Sequence, residues 1–401
     1  MRRKPLTRSS RLPAGVWLLG WVSFFTDLAS EAIYPLLPLF LTRVLGAGAL
    51  SLGIIEGAAE AANSALKIVS GRLSDRWNAR KPLVLGGYAL SSCVRPLMSV
   101  AGSWVHVLAL RFTDRLGKGI RGAPRDALLA HIAPAGERGR VFGVQRAMDH
   151  AGAVAGPLFA SAYLFYRPDD YRTLFALTII PGAIVVALLL TLKEERQAPE
   201  RAHERPVVGR WRDLPPRLWS LLGVLLVFTL GNASDAFLLL RLSDLGVGAV
   251  WIPILWAALH VVKSTSSAIG GTWSDRVGRR RLIIAGWVLY AMVYFAFALF
   301  ESRAAIVAMF VLYGLYFGMT EGAEKALIAD LTPAPLRGTA FGLYNGALGV
   351  GSLLASVVFG LVWTRVSPDA AFVVGGALAL AAALMLAGII PDSNAVDPGD
   401  Q

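Results

Sequence analysis

The 401-residue chain is short of charge. Only 16% of its residues are Asp, Glu, Lys or Arg, where a soluble domain carries about a quarter. That excludes an ordinary water-exposed globule. The shortage is also uneven, with charges clustered between apolar runs of about twenty residues, the length a helix needs to cross ~30 Å of hydrocarbon. Cysteine is nearly missing. The one thiol, Cys93, excludes an intramolecular disulfide framework. No H-E-x-x-H, no Gly-x-Ser-x-Gly and no Gly-Lys-Ser/Thr phosphate loop is present, which removes the common hydrolytic and nucleotide-binding chemistries. The sequence therefore reads as a non-enzyme, with no cofactor or metal expected. No small-residue cleavage site closes the first apolar run, so that run reads as a first span and not as a removed signal peptide.

The chain is rich in apolar residues (55%), in glycine (41 residues) and in positive charge, with a formal net charge of +12. Glycine lets membrane helices approach closely. The runs do not alternate as barrel strands do, and open sheets cannot satisfy their backbone in lipid, so the spans are helices. They fall at 16–42, 49–70, 83–101, 104–124, 141–165, 172–192, 218–241, 250–270, 282–300, 304–326, 340–364 and 369–390. Lys and Arg concentrate in one set of loops. These hold Arg2, Arg3, Lys4, Arg8 and Arg11, then Arg72, Arg76, Arg80 and Lys81, then Arg138 and Arg140. The same set holds the run 193–217, Arg276 to Arg281, and Arg337. The positive-inside rule places these loops and both termini in the cytoplasm of a multi-pass inner-membrane protein. Topology thus accounts for the charge, and nucleic acid is not an expected partner.

Residues 193–217 are polar, charged and proline-containing, a linker between halves 1–192 and 218–401. The halves repeat at an offset near 200. Gly71-Arg-Leu-Ser-Asp75-Arg76 recurs as Gly271-Thr-Trp-Ser-Asp275-Arg276. Ala29-Ser-Glu31-Ala recurs as Ala233-Ser-Asp235-Ala, and Arg138-Gly-Arg-Val-Phe-Gly143 as Arg337-Gly-Thr-Ala-Phe-Gly342. Duplicated six-helix halves with a site at their interface are a transporter architecture.

Charge inside the membrane is costly and faces a cavity or a partner. Span 2 carries Glu56, Glu60 and Lys67 on one helical stripe. Span 4 carries Arg111, Asp114, Arg115 and Lys118, and span 1 carries Asp27 and Glu31. Arg146, Asp149 and His150 lie in span 5, Asp235 in span 7, His260 and Lys263 in span 8, and Glu321, Glu324 and Lys325 in span 10. Beyond the first residues of spans 6 and 12, Arg172 and Asp369, spans 6, 9 and 12 hold no Asp, Glu, Lys or Arg, and span 3 only Arg95. Any of these charges can serve structure as well as function. Glu324 and Lys325 also read as a latch near the cytoplasmic end.

These motifs resemble the major facilitator superfamily over essentially the whole chain. The loops containing Gly71, Asp75, Arg76 and Arg80, and Gly271, Asp275, Arg276 and Arg279, are similar to its gating motif A. Ala79 stands where that motif carries the Arg that pairs with its Asp. Leu110-Arg111-Phe-Thr-Asp114-Arg115 resembles its motif B, whose Arg is associated with proton coupling. Gly143, Gly152, Gly156 and Pro157 resemble motif C, which marks antiporters, with Ala160 and Ser161 in place of its final glycine pair. The resemblance implies an all-α membrane protein of twelve transmembrane helices in two pseudo-symmetric six-helix bundles, with spans 1, 4, 7 and 10 around the cavity. It implies secondary active transport by alternating access. Proton-coupled efflux leads, and symport or exchange of a small organic anion is the alternative. The expected partners are a small molecule, protons and the bilayer, and the expected state is a monomer.

For proton coupling the candidates are Asp27, Glu31 and Asp114, near the middle of cavity helices, and His150. The candidate substrate cavity comprises Glu56, Glu60, Lys67, Arg111, Arg115 and Lys118 from the first half. Asp235, His260, Lys263 and Glu321 come from the second, whose wall is expected to be more aromatic through Trp251 and Trp256.

Overall fold

A computed structural model describes residues 12–77, 80–134, 137–192, 213–333 and 336–389. Arg2, Arg3, Lys4, Arg8, Arg11, Asn78, Ala79 and most of the 193–217 linker lie outside these residues. So do the side chains of Lys67, Arg72, Asp75, Arg76, Arg138 and Asp275, and the surroundings of Gly71 and Gly271.

The described chain forms twelve long helical segments. In the first half they are α1 (Ala14–Val44), α2 (Ala49–Trp77), α3 (Arg80–Val100), α4 (Trp104–Ile132), α5 (Arg138–Tyr166) and α6 (Tyr171–Thr191). In the second half they are α7 (Pro216–Asp244), α8 (Trp251–Val277), α9 (Arg279–Leu299), α10 (Arg303–Asp330), α11 (Arg337–Arg365) and α12 (Pro368–Ile389). Nine described helices are apolar enough by composition alone to cross a membrane. The other three, α2, α4 and α5, are each 29 residues long and hold much of the buried charge. Several helices outrun their expected spans. The α2 helix continues to Trp77 and α10 to Asp330.

Packing follows the repeat. In the first half α1 packs on α5 and α6, α4 on α2 and α3, and α3 on α6. In the second half α7 packs on α11 and α12, α10 on α8 and α9, and α9 on α12. Each pair is its counterpart advanced by six helices. The halves meet through α2 on α11 and α5 on α8, which the same operation exchanges. The chain is therefore an all-α, multi-pass membrane protein of two related six-helix bundles.

Two helices break at membrane depth, at matching places in the repeat. The α1 helix changes to a tighter turn at Tyr34–Leu36, where Pro35 and Pro38 withdraw backbone donors. The α7 helix stops at Gly231 and restarts at Ala236. Between them the Ser234 hydroxyl accepts the Ala236 N–H at 3.3 Å, a side-chain bond that competes with helix.

The end bearing the α2–α3 and α8–α9 turns is here called the basic end. At the opposite, far end the halves touch backbone to backbone. A Cβ on Gly53 would strike the Ser356 carbonyl, and one on Gly360 would lie 2.7 Å from the Ala49 carbonyl oxygen. Arg43 donates to Ser243 at 2.8 Å, Ser161 to the Val250 carbonyl at 2.8 Å, and Tyr34 meets Ser234 at 3.2 Å. A Gly53→Val substitution is expected to hold this seam apart and abolish transport while the chain still folds. Spin labels in the first turn of α2 and the last turn of α11 would read the separation. A wild-type distance with wild-type transport would refute it.

A charged and aromatic cavity between the halves

Toward the basic end of that seam, three connected chambers of about 570, 310 and 460 Å³ lie between the bundles. The first chamber belongs mostly to the first half. Asp27 and Glu31 of α1, Lys118 and Arg121 of α4, and Asp149 and His150 of α5 line it. Among the described residues no cation lies within ion-pair distance of the Asp27 carboxylate. Gln145 donates to Asp149 at 3.1 Å.

The middle chamber joins the halves. Glu31 accepts a hydrogen bond from the Trp256 indole at 2.8 Å, and His260 Nε2 stands 3.7 Å from the same carboxylate oxygen. Arg115, Lys118, Lys263 and Asp235 complete its polar lining. The third chamber lies mainly in the second half. Glu56, Glu60, Asp235, Glu321 and Glu324 face it, with Tyr313, Tyr316 and Phe317 among its rings.

Two expected residues stand behind the wall and not in it. Arg111 forms a two-pronged bond to Glu56 at 2.9 and 3.3 Å and lies over the Tyr34 ring. Asp114 accepts from Arg95 at 3.0 Å and lies 3.8 Å from Arg111. The four charges form one buried network, and Arg95 also donates to the Thr26 carbonyl at 2.9 Å. Asp114 thus has two guanidinium neighbours and no face on the chambers. The reason is Arg95, the charge of span 3, which reaches inward from α3 to α4.

The sequence reading also missed Arg121, which stacks on Tyr88 and donates to Ser91 at 2.7 Å. Its place on the α4 stripe, one turn beyond Lys118, was the available signal. Glu324 is not a latch. It is buried and accepts from Trp287 at 3.2 Å and Tyr344 at 3.1 Å. Lys325 turns to Glu321 at 3.5 Å. Trp251 stands exposed on the first turn of α8 and does not line the chambers. The aromatic wall comes from Phe228, Tyr313, Tyr316, Phe317 and Tyr344.

At the basic end, Arg279 pairs with Asp330 and donates to the Ala326 carbonyl at 2.9 Å. Arg280 bonds the last carbonyls of α12, and Lys81 bonds those of α6. Each cation sits at a helix C-terminus, where unpaired carbonyls and the dipole favour it. In this state these residues tie helices within one half. The two later glycines of the fifth-span motif pack on α1, since a Cβ on Gly152 or Gly156 would strike the Phe24 or Leu28 carbonyl. Gly143 meets nothing.

Two repeated bundles around a polar chamber are the architecture of a membrane transporter. The model of the Major Facilitator Superfamily matches residues 19–262 and 261–400, and the chain belongs to that superfamily. It is thus a transporter of small molecules and not an enzyme. It is 33% identical over 381 residues to an uncharacterised transporter of this superfamily from Methanocaldococcus jannaschii, covering 94% of each chain. It is 28% identical over 350 residues to the multidrug resistance protein MdtH of Edwardsiella ictaluri, covering 85% of this chain and 84% of that one. The nucleoside transporter NupG superposes with a TM-score of 0.79 at 13% identity, covering 94% of this chain and 100% of the other.

Proposed function

We propose that the protein exports a small molecule across the inner membrane in exchange for protons, working as a monomer with both termini in the cytoplasm. The observation that carries this reading is Asp27, a chamber-facing carboxylate with no cation at ion-pair distance among the described residues. Such a group can take and release a proton as its exposure alternates, whereas Asp114 is occupied by Arg95 and Arg111. Glu31, bound to the opposite half through Trp256, reports the separation of the bundles to the same chamber. His150 beside Asp149 provides a second carrier. The likeness to MdtH and the close packing of Gly152 and Gly156 on α1 support export. The conformation described, sealed at the far end, is the inward-open one when the basic end is cytoplasmic. Within this reading the units are residues 1–192 and 218–401.

The test is proton flux. Protein in liposomes holding a proton gradient should dissipate that gradient when a carried compound is added, and should move the compound against the proton flow. Accumulation of an organic anion with the protons would instead select uptake, the reading that Lys118 and Lys263 at the middle chamber favour. Movement indifferent to the gradient would remove proton coupling altogether.

A further inference from the structure

The third chamber has a chemistry of its own. Glu324 is 8% exposed, and both of its hydrogen-bond donors, Trp287 and Tyr344, are neutral. Among the described residues the Asp235 carboxylate accepts only from the Tyr313 hydroxyl, at 2.7 Å. No described cation lies within 4 Å of either carboxylate. Two of the other acids have a cation: Glu56 is bonded to Arg111, and Glu321 has Lys325 and Arg146 within 4 Å. Glu60, on the first-half wall and away from the rings of α10, accepts from the neutral Asn63 at 3.1 Å. Removing a carboxylate from water without a countercharge is expensive. The chamber supplies the neutral donors that hold two carboxylates in place and leaves the countercharge to come from outside.

The rings between them point to what that countercharge is. Tyr313 and Tyr316 stack with centroids 5.6 Å apart, and Phe228 stacks on Trp287 at 4.5 Å beside them. An aromatic face attracts a cation, more strongly when water is excluded. The protein already shows this with its own ammonium: Lys263 Nζ lies 3.7 Å from the Phe317 centroid. Of the other cations facing this space, Lys325 is bonded to Glu321, and Arg115 stands on the first-half wall that the middle chamber shares.

We propose that this chamber is the cargo site and that its cargo is an organic cation with aromatic or alkyl bulk. Glu324 and Asp235 serve as alternative countercharges, and the Tyr313–Tyr316–Phe317 faces serve as its wall. Lys263 holds the ring face while the site is empty, and an arriving ammonium or phosphonium displaces it. The inference rests on the transport reading for the word cargo but not for the site itself.

Tetraphenylphosphonium and tetraphenylborate have nearly the same shape and opposite charge, so they separate charge from bulk. Purified wild-type protein should bind and be thermally stabilised by tetraphenylphosphonium, and tetraphenylborate should do neither. Glu324→Gln and Asp235→Asn should each weaken phosphonium binding by about tenfold or more, and Lys263→Gln should strengthen it. Unliganded melting curves of each variant show whether it folds. Three results overturn the site: no phosphonium binding, preference for the borate, or unchanged affinity in both acid variants. Binding as expected with no movement of the phosphonium in liposomes keeps the site and rejects its role as the cargo site instead.

Discussion

Asp27→Asn protein in liposomes is expected to lose proton-driven transport by about tenfold or more, equivalent to at least ~1.4 kcal/mol of driving or barrier free energy. Its melting temperature and its affinity for tetraphenylphosphonium should stay near wild type. The asparagine is nearly isosteric, and among the described residues Asp27 makes no ion pair within 4 Å whose loss would unsettle α1. Proton flux measured with a pH-sensitive dye, alongside downhill cargo exchange, separates the two effects. Exchange should persist while coupled flux disappears. Wild-type coupling in Asp27→Asn would move the proton site to Glu31 or His150.

The Glu56–Arg111 pair should give the largest stability effect. Glu56→Gln leaves Arg111 buried with Asp114, 3.8 Å away, as its remaining countercharge. Breaking a buried pair from one side costs about 3–5 kcal/mol. Glu56→Gln is therefore expected to melt well below wild type. The double variant Glu56→Gln with Arg111→Gln should regain most of that loss, because it removes the stranded charge. Arg111→Lys should be intermediate, since an ammonium cannot reproduce the two-pronged bond. Thermal unfolding of the four proteins in detergent closes the cycle. Additive losses would show that the pair is not coupled.

The fold was legible because its causes are written along the chain. Apolar runs of membrane length, basic loops on one side and repeated Ala-Ser-acid-Ala and Gly-x3-Asp-Arg segments are enough to predict twelve helices in two halves. The cavity was legible only where a stripe on one helix faces inward, as with Glu56 and Glu60, or with Arg115 and Lys118. What pairs with what depends on contacts between helices far apart in sequence. Arg95 reaches Asp114 from α3, and Trp256 reaches Glu31 across the two halves. No periodicity within one span records such contacts. Glu324 shows the same limit: with Lys325 it reads as a latch near the cytoplasmic end, but it is buried against Trp287 and Tyr344 while Lys325 turns to Glu321. The second half's aromatic character was anticipated, but Trp251 sits exposed on the first turn of α8, and the wall is built from Tyr313, Tyr316 and Phe317 of α10 with Phe228 of α7 and Tyr344 of α11.

The breaks in α1 and α7 have a mechanical consequence. Beyond Tyr34 and beyond Asp235, each helix continues as a short rod, and the two rods pack against each other at the far end. They are clasped there by Tyr34 with Ser234 and by Arg43 with Ser243. A rod attached through a tighter turn, as in α1, or through non-helical backbone, as in α7, can swing without its bundle turning. The far-end door therefore has a hinge of its own. A molecule wedged between the two rods from the far side would jam that door while the cargo chamber stayed accessible from the basic end. Inhibition from that side would be noncompetitive with cargo bound from the other.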